Sequence, residues 1–83
     1  MYYVYILKSK KDNKLYIGQT SDLQERLSAH NRGSVKSTKN RKPLKLIYHE
    51  EFSTRSNAIK RESYLKRMKN SQYILALINK KSG

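Results

Sequence analysis

The chain is expected to form an α+β fold: a small three-stranded antiparallel sheet flanked by helices, in the order β-β-α-β-α-α. Three observations lead there. Two short runs rich in tyrosine and β-branched residues, 2–7 and 15–19, flank a polar turn. A third alternating run starts behind Pro43, the single proline, which can open a strand but not occupy its centre. Between and after these runs, apolar residues recur at helical spacing behind cap-forming residues.

Asp12-Asn13 favours a turn, so the first two runs read as an N-terminal hairpin. Alternation puts Tyr3 and Tyr5 on one face of the first strand, opposite Val4 and Ile6. In the second, Tyr16 and Gly18 oppose Leu15 and Ile17. The tyrosines can share a face, but the register stays open. A two-residue turn at Asp12-Asn13 sets Tyr16 across from Ser9, whereas a wider loop brings it toward Tyr5.

Ser21-Asp22-Leu23-Gln24 has the form of a capping box, Leu23 and Leu27 lie one turn apart, and Gly33 is a natural stop; a helix from about Asp22 to Asn31 follows. From Gly33 to Lys42 the chain is small, polar and basic, which reads as a flexible cationic loop carrying Lys36, Lys39, Arg41 and Lys42. The third strand, from Leu44 to near Glu51, alternates Leu44, Leu46 and Tyr48 with Lys45, Ile47 and His49. N-cap candidates among Ser53 to Asn57 precede a second helix to about Lys69, with Ala58, Ile59, Leu65 and Met68 as its apolar stripe. Asn70-Ser71 breaks it and caps a third helix, whose apolar surface is Ile74, Leu75, Leu77 and Ile78.

At 83 residues the chain is read as one domain, 1–83, and without cysteine neither disulfides nor a thiolate zinc site can staple it. No apolar run approaches the ~20 residues that span a bilayer, and the N-terminus opens directly into a strand pattern, so no membrane association and a cytoplasmic location are expected. Nineteen Lys and Arg against six acids give a net charge of +13, a density that points to a polyanion. Nucleic acid is the expected partner, and no small-molecule cofactor is indicated. Charge alone does not separate a nuclease from a structural RNA-binding protein.

Of the six acids, Glu62 stands out because a helical wheel puts it inside the stripe of Leu65, Ala58 and Ile59, where a carboxylate needs a partner. An ordinary partner is Lys66, four residues on, or Lys69. Arg26 and His30 lie one turn apart beside Leu23 and Leu27, which predicts both partly buried and suited to facing a phosphate: guanidinium matches its oxygens and imidazole moves protons. Among seven tyrosines, Tyr2, Tyr48, Tyr64 and Tyr73 are assigned to packing. Lys60, Arg61, Lys66, Arg67 and Lys69 are further candidates for backbone contact.

Tyr3-Val4-Tyr5, a ten-residue spacer, Tyr16-Ile17-Gly18, then Arg26, His30 and Glu62 in that order resemble the GIY-YIG nuclease family over nearly the whole chain. The first triplet lacks the name-giving glycine but keeps its tyrosine. The resemblance implies a metal-dependent endonuclease hydrolysing phosphodiester bonds in DNA. It makes Tyr5 and Tyr16 the motif tyrosines, Gly18 a point of close backbone approach to substrate, Arg26 the transition-state arginine, and Glu62 the ligand of one Mg2+ or Mn2+. It also implies that a water activated through Tyr16, or at the metal with His30, attacks phosphorus. Asn70 is the nearest match to a late active-site asparagine. Gln19 stands where some members carry a basic residue. The competing expectation is a nucleic-acid-binding module that keeps the fold and cuts little or nothing.

Overall fold

The computed structural model describes residues 1–69 and 71–82, without the side chains of residues 81 and 82. Its elements are β1 (Tyr2–Ser9), β2 (Leu15–Thr20), α1 (Leu23–Asn31), β3 (Leu44–Phe52), α2 (Arg55–Arg67) and α3 (Gln72–Ser82), the expected α+β order. The strands form one antiparallel sheet with β1 in the middle, in the order β2-β1-β3. None of the described helices is long and apolar enough to cross a membrane.

β1 is central because it is apolar on both faces. Val4 and Ile6 join Ala58, Leu65 and Ile74 in a core beneath α2 and α3, while Tyr5, Leu7 and Leu44 meet Leu23 and Leu27 of α1 on the other face. The hairpin is the wider of the two alternatives: Tyr5 pairs with Gly18 and Leu7 with Tyr16, leaving Tyr16 one diagonal step from Tyr5. Ser9 holds that loop, its hydroxyl accepting from the Lys11 and Asp12 amides at 3.0 and 3.2 Å, and Asn13 adopts a φ of 60°.

The simple alternation expected for β3 fails at one point. A register shift opposite Ile6/Leu7 inserts an extra residue, so Ile47 and Tyr48 both pack toward the α2/α3 core while Leu44 and Leu46 serve the other face. Asp22, not Ser21, caps α1, accepting from the Glu25 amide at 3.0 Å; Thr54 caps α2 through the Asn57 amide at 3.2 Å. Ile59 is 44% and Leu75 49% exposed, because α2 and α3 bury narrower stripes than predicted, centred on Ala58, Leu65 and Ile74. Arg61 forks onto Glu50 of β3 at 2.8 and 2.9 Å, and Tyr48 donates to the same carboxylate, fastening α2 to the sheet. Arg61 is therefore an internal tie and not a backbone-tracking cation. It also lies 5.6 Å from the ring centroids of Tyr64 and Tyr73.

The loop between α1 and β3 is tied down, contrary to the expectation of flexibility. Asn31 clasps both main-chain groups of Leu44 at 3.0 and 2.7 Å, the Ser9 hydroxyl donates to the Arg41 carbonyl at 2.5 Å, and the Lys10 amide donates to the Pro43 carbonyl at 2.9 Å.

Candidate active site

The site grows outward from Tyr5, only 3% exposed at the centre of the sheet. Its ring fits because Gly18, its partner across the strand pair, has no side chain. A Cβ there would stand 2.6 Å from the Tyr5 Cζ and closer still to the hydroxyl. The room at Gly18 is thus filled by Tyr5, a reason for the glycine that differs from the expected approach of a substrate backbone.

α1 brings two side chains to the Tyr5 hydroxyl. His30 Nε2 is 3.0 Å from Tyr5 Oη, with the rings edge-on at 73°, and Arg26 Nε donates to the same oxygen at 3.3 Å. On its far side, His30 Nδ1 lies 2.7 Å from the Thr38 hydroxyl. His30 and Thr38 are 4% and 1% exposed, whereas Arg26, expected to be partly buried, is exposed, because only one edge of its guanidinium reaches inward. Burial, and secondarily the Arg26 charge, lower the His30 pKa, so the imidazole is neutral at pH 7. A neutral ring can accept the phenol proton at Nε2 while Nδ1–H donates to Thr38, or run the chain in reverse.

Tyr16 sits beside this group in another environment. Its hydroxyl donates to Asp12 Oδ2 at 3.2 Å, Asp12 Oδ1 accepts the Lys14 amide at 2.9 Å, and Arg41 Nε stands 3.3 Å from Asp12. Burial and then the Asp12 bond raise the Tyr16 pKa, while the amide of Lys14 leads in lowering that of Asp12. Tyr16 is accordingly a protonated donor in this arrangement, with Lys69 Nζ 5.3 Å from its ring centroid.

Between α1 and α2, along the β2 edge of the sheet, opens a cavity of about 510 Å³. It gathers Tyr5, Tyr16, Gly18, Arg26, His30 and Glu62, which are spread over the sequence, in one place. Glu62 is one-fifth exposed and its Oε2 lies 2.9 Å from Lys66 Nζ, the i,i+4 partner foreseen. Gln19 also lines the cavity, and its Oε1 is buried without a hydrogen bond among the described residues. These oxygens suit a hard divalent cation held by few protein ligands and mostly by water and phosphate, and the Lys66 ammonium stands where positive charge is already accepted. Among the described residues no three His, Cys, Asp or Glu side chains cluster as a cage.

The loop supplies Val35, Ser37 and Thr38 to the cavity wall. Lys36, Lys39, Arg41 and Lys42 are exposed and lie outside that wall, Arg41 being engaged by Asp12. Thr38 and the Asp12–Tyr16 bond are the features that sequence reasoning missed, since a threonine in a basic loop and an aspartate in a turn both have ordinary explanations. Asn70 lies outside the described residues.

The profile of the GIY-YIG catalytic domain matches residues 1–74. A UPF0213 protein of Clostridium perfringens is 47% identical over 83 residues, covering 99% of this chain and 87% of that protein. The UPF0213 protein YazA of Bacillus subtilis is 38% identical, covering 99% and 83%. The solution NMR structure of a UPF0213 protein from Bacillus halodurans superposes with a TM-score of 0.63 at 32% identity, covering all of this chain and 88% of that one.

Proposed function

Because the chain belongs to the GIY-YIG catalytic domain family, a nuclease family, we propose that it is an endonuclease hydrolysing phosphodiester bonds in DNA with one divalent metal ion, Mg2+ or Mn2+. The observation that carries this reading is the convergence of Tyr5, Tyr16, Arg26, His30 and Glu62 on a single cavity in a protein of net charge +13.

Each side chain then has a task set by its surroundings. Arg26 spends Nε on Tyr5 and keeps its outer nitrogens for the phosphate, where they offset the charge that grows as the nucleophile adds. A water against Tyr5 gives its proton to the phenol oxygen as the phenol proton passes to His30 Nε2, 3.0 Å away. The new O–P bond forms, the scissile P–O bond breaks, the leaving oxygen takes a proton from solvent, and His30 later returns its own to solvent. Tyr16, held protonated beside Asp12, turns its hydroxyl from that carboxylate to donate to a phosphate oxygen when substrate binds. Glu62 would hold the metal with Gln19 beside it, and the ion, when bound, supplies Lewis-acid stabilisation of phosphate charge. Lys66 is released from Glu62 at little cost, since the lysine is 56% exposed and such pairs contribute about 0–1 kcal/mol. Lys36, Lys39, Arg41 and Lys42 form the outer backbone-contacting margin.

The Lys66–Glu62 pair is also what favours the second reading, a nucleic-acid-binding module without cleavage, because it occupies the one acid that the described residues bring to the cavity wall. Labelled single-stranded, duplex and branched DNA, incubated with the protein or Glu62→Ala plus Mg2+, Mn2+ or chelator, decides between them. Metal-dependent products that vanish in the variant, with binding retained, support the nuclease. Binding by both proteins with no substrate cut under any metal supports the module.

A further inference from the structure

We infer that Thr38 is a positioning residue for cleavage: its hydroxyl holds His30 as the third member of a Tyr5–His30–Thr38 proton chain. The inference rests on the nuclease reading above. Three observations carry it. Thr38 is 1% exposed in a loop whose neighbours Lys36, Ser37, Lys39 and Asn40 are all exposed, so its burial is selective within the segment. The 2.7 Å Oγ1···Nδ1 contact is the shortest side-chain bond made by His30. The loop is also braced around it, because the Thr38 amide donates to the Val35 carbonyl at 3.1 Å and the Thr38 carbonyl accepts from the Arg41 amide at 2.8 Å.

A hydroxyl suits this position because it both donates and accepts. With neutral His30 it accepts from Nδ1–H, or donates to a bare Nδ1. When the phenol proton reaches Nε2, both ring nitrogens carry hydrogen, and Oγ1 is the acceptor the Nδ1–H then requires. The ring is buried beside Arg26, so an unanswered Nδ1–H would oppose the transfer directly. The logic matches that of a base oriented by a third group, here a neutral one. Because the hydroxyl faces His30 and the residue is nearly inaccessible, its removal acts on turnover and not on substrate affinity.

Thr38→Val keeps the shape and removes the hydroxyl, while Thr38→Ser keeps the hydroxyl. Both are compared with wild type in single-turnover cleavage of a DNA substrate that the wild type cuts, alongside 15N NMR of the His30 ring, which reports the tautomer independently of activity. The expected result is a loss of about 10–100-fold in the saturating single-turnover rate for Thr38→Val with the half-saturating concentration unchanged, recovery to within about threefold in Thr38→Ser, and a changed ring-nitrogen signature in Thr38→Val only. Equal cleavage by Thr38→Val and wild type overturns the inference and leaves the nuclease reading intact. So does an unchanged ring signature, or a Thr38→Ser variant as slow as Thr38→Val. If Thr38→Val fails to fold, Thr38→Ser and Thr38→Cys decide, the weaker thiol partner being expected to fall between serine and valine. A wild-type protein that cuts no substrate overturns the nuclease reading first, and the role of Thr38 in cleavage with it.

Discussion

Replacing Gly18 by alanine adds one methyl group at the point where β2 faces the Tyr5 ring. The new Cβ would lie 2.6 Å from Cζ, against a comfortable carbon–carbon separation of ~3.5–4.0 Å, so ring or strand must retreat by about 1 Å. Tyr5 has little room to do so, being 3% exposed and packed with Leu7 and Leu44. Overpacking of this kind costs about 1–3 kcal/mol. Gly18 does not use a positive φ, so alanine also recovers about 0.4–1 kcal/mol by stiffening the unfolded chain. The net is a destabilisation of roughly 1–2 kcal/mol, read in a urea titration followed by circular dichroism. A 1 Å displacement of the phenol also stretches its bonds to His30 and Arg26, and misplacement on that scale costs on the order of 100-fold in rate. The decisive control is a double-mutant cycle with Tyr5→Leu, which removes the colliding ring: most of the Gly18→Ala penalty should disappear, giving a coupling of about 1 kcal/mol or more. Strict additivity in the cycle, or a Gly18→Ala protein as stable and active as wild type, would refute the steric account.

His30 has a pKa lowered by burial and by Arg26, so the unfolded chain binds its proton more readily; the stability it contributes is full above its ordinary value of 6.5 and declines as pH falls through the folded value. Urea midpoints should therefore drop on acidification in the wild type and less so in His30→Gln. Asp12→Asn preserves the turn-forming bond to Lys14 but removes the carboxylate that the Tyr16 hydroxyl donates to, so the Tyr16 ring-carbon resonance should titrate at lower pH, while burial, the larger cause, keeps part of the elevation. Lys36→Gln/Lys39→Gln should weaken DNA binding at low salt and flatten the plot of log affinity against log salt by about 0.9 for each phosphate contact removed, leaving the single-turnover rate at saturating DNA unchanged.

Much of the architecture was legible because short, strongly alternating runs and clear caps leave few alternatives; the six elements and their order follow from them. Positions that depend on pairing between distant residues were not. No local signal distinguishes a hairpin that places Tyr16 opposite Ser9 from one that places it opposite Leu7, and the choice depends on how Ser9 and Asp12 stitch the turn. The extra residue in β3 was hidden for a similar reason, since Ile47 and Tyr48 are both apolar enough for either face. For the site, Glu62 betrayed itself by its place on the wheel. Thr38 did not, because what distinguishes it from the other small polar residues of its loop is a histidine eight positions earlier that only the folded chain brings to it.

The clasp of Asn31 on Leu44 has a consequence for how such a protein diversifies. By binding both the amide and the carbonyl of the first β3 residue, Asn31 closes the intervening segment at its base, so that the sheet hardly registers the segment's length. Lengthening a loop between fixed ends is cheap, about 0.6 kcal/mol for each doubling. With Arg41 and Pro43 pinned to Ser9 and Lys10, residues 32–40 are thus the exchangeable part of the segment: a new stretch, longer or differently charged, alters which nucleic-acid shapes are gripped while the chemistry beneath stays put, provided that it returns one hydroxyl to His30.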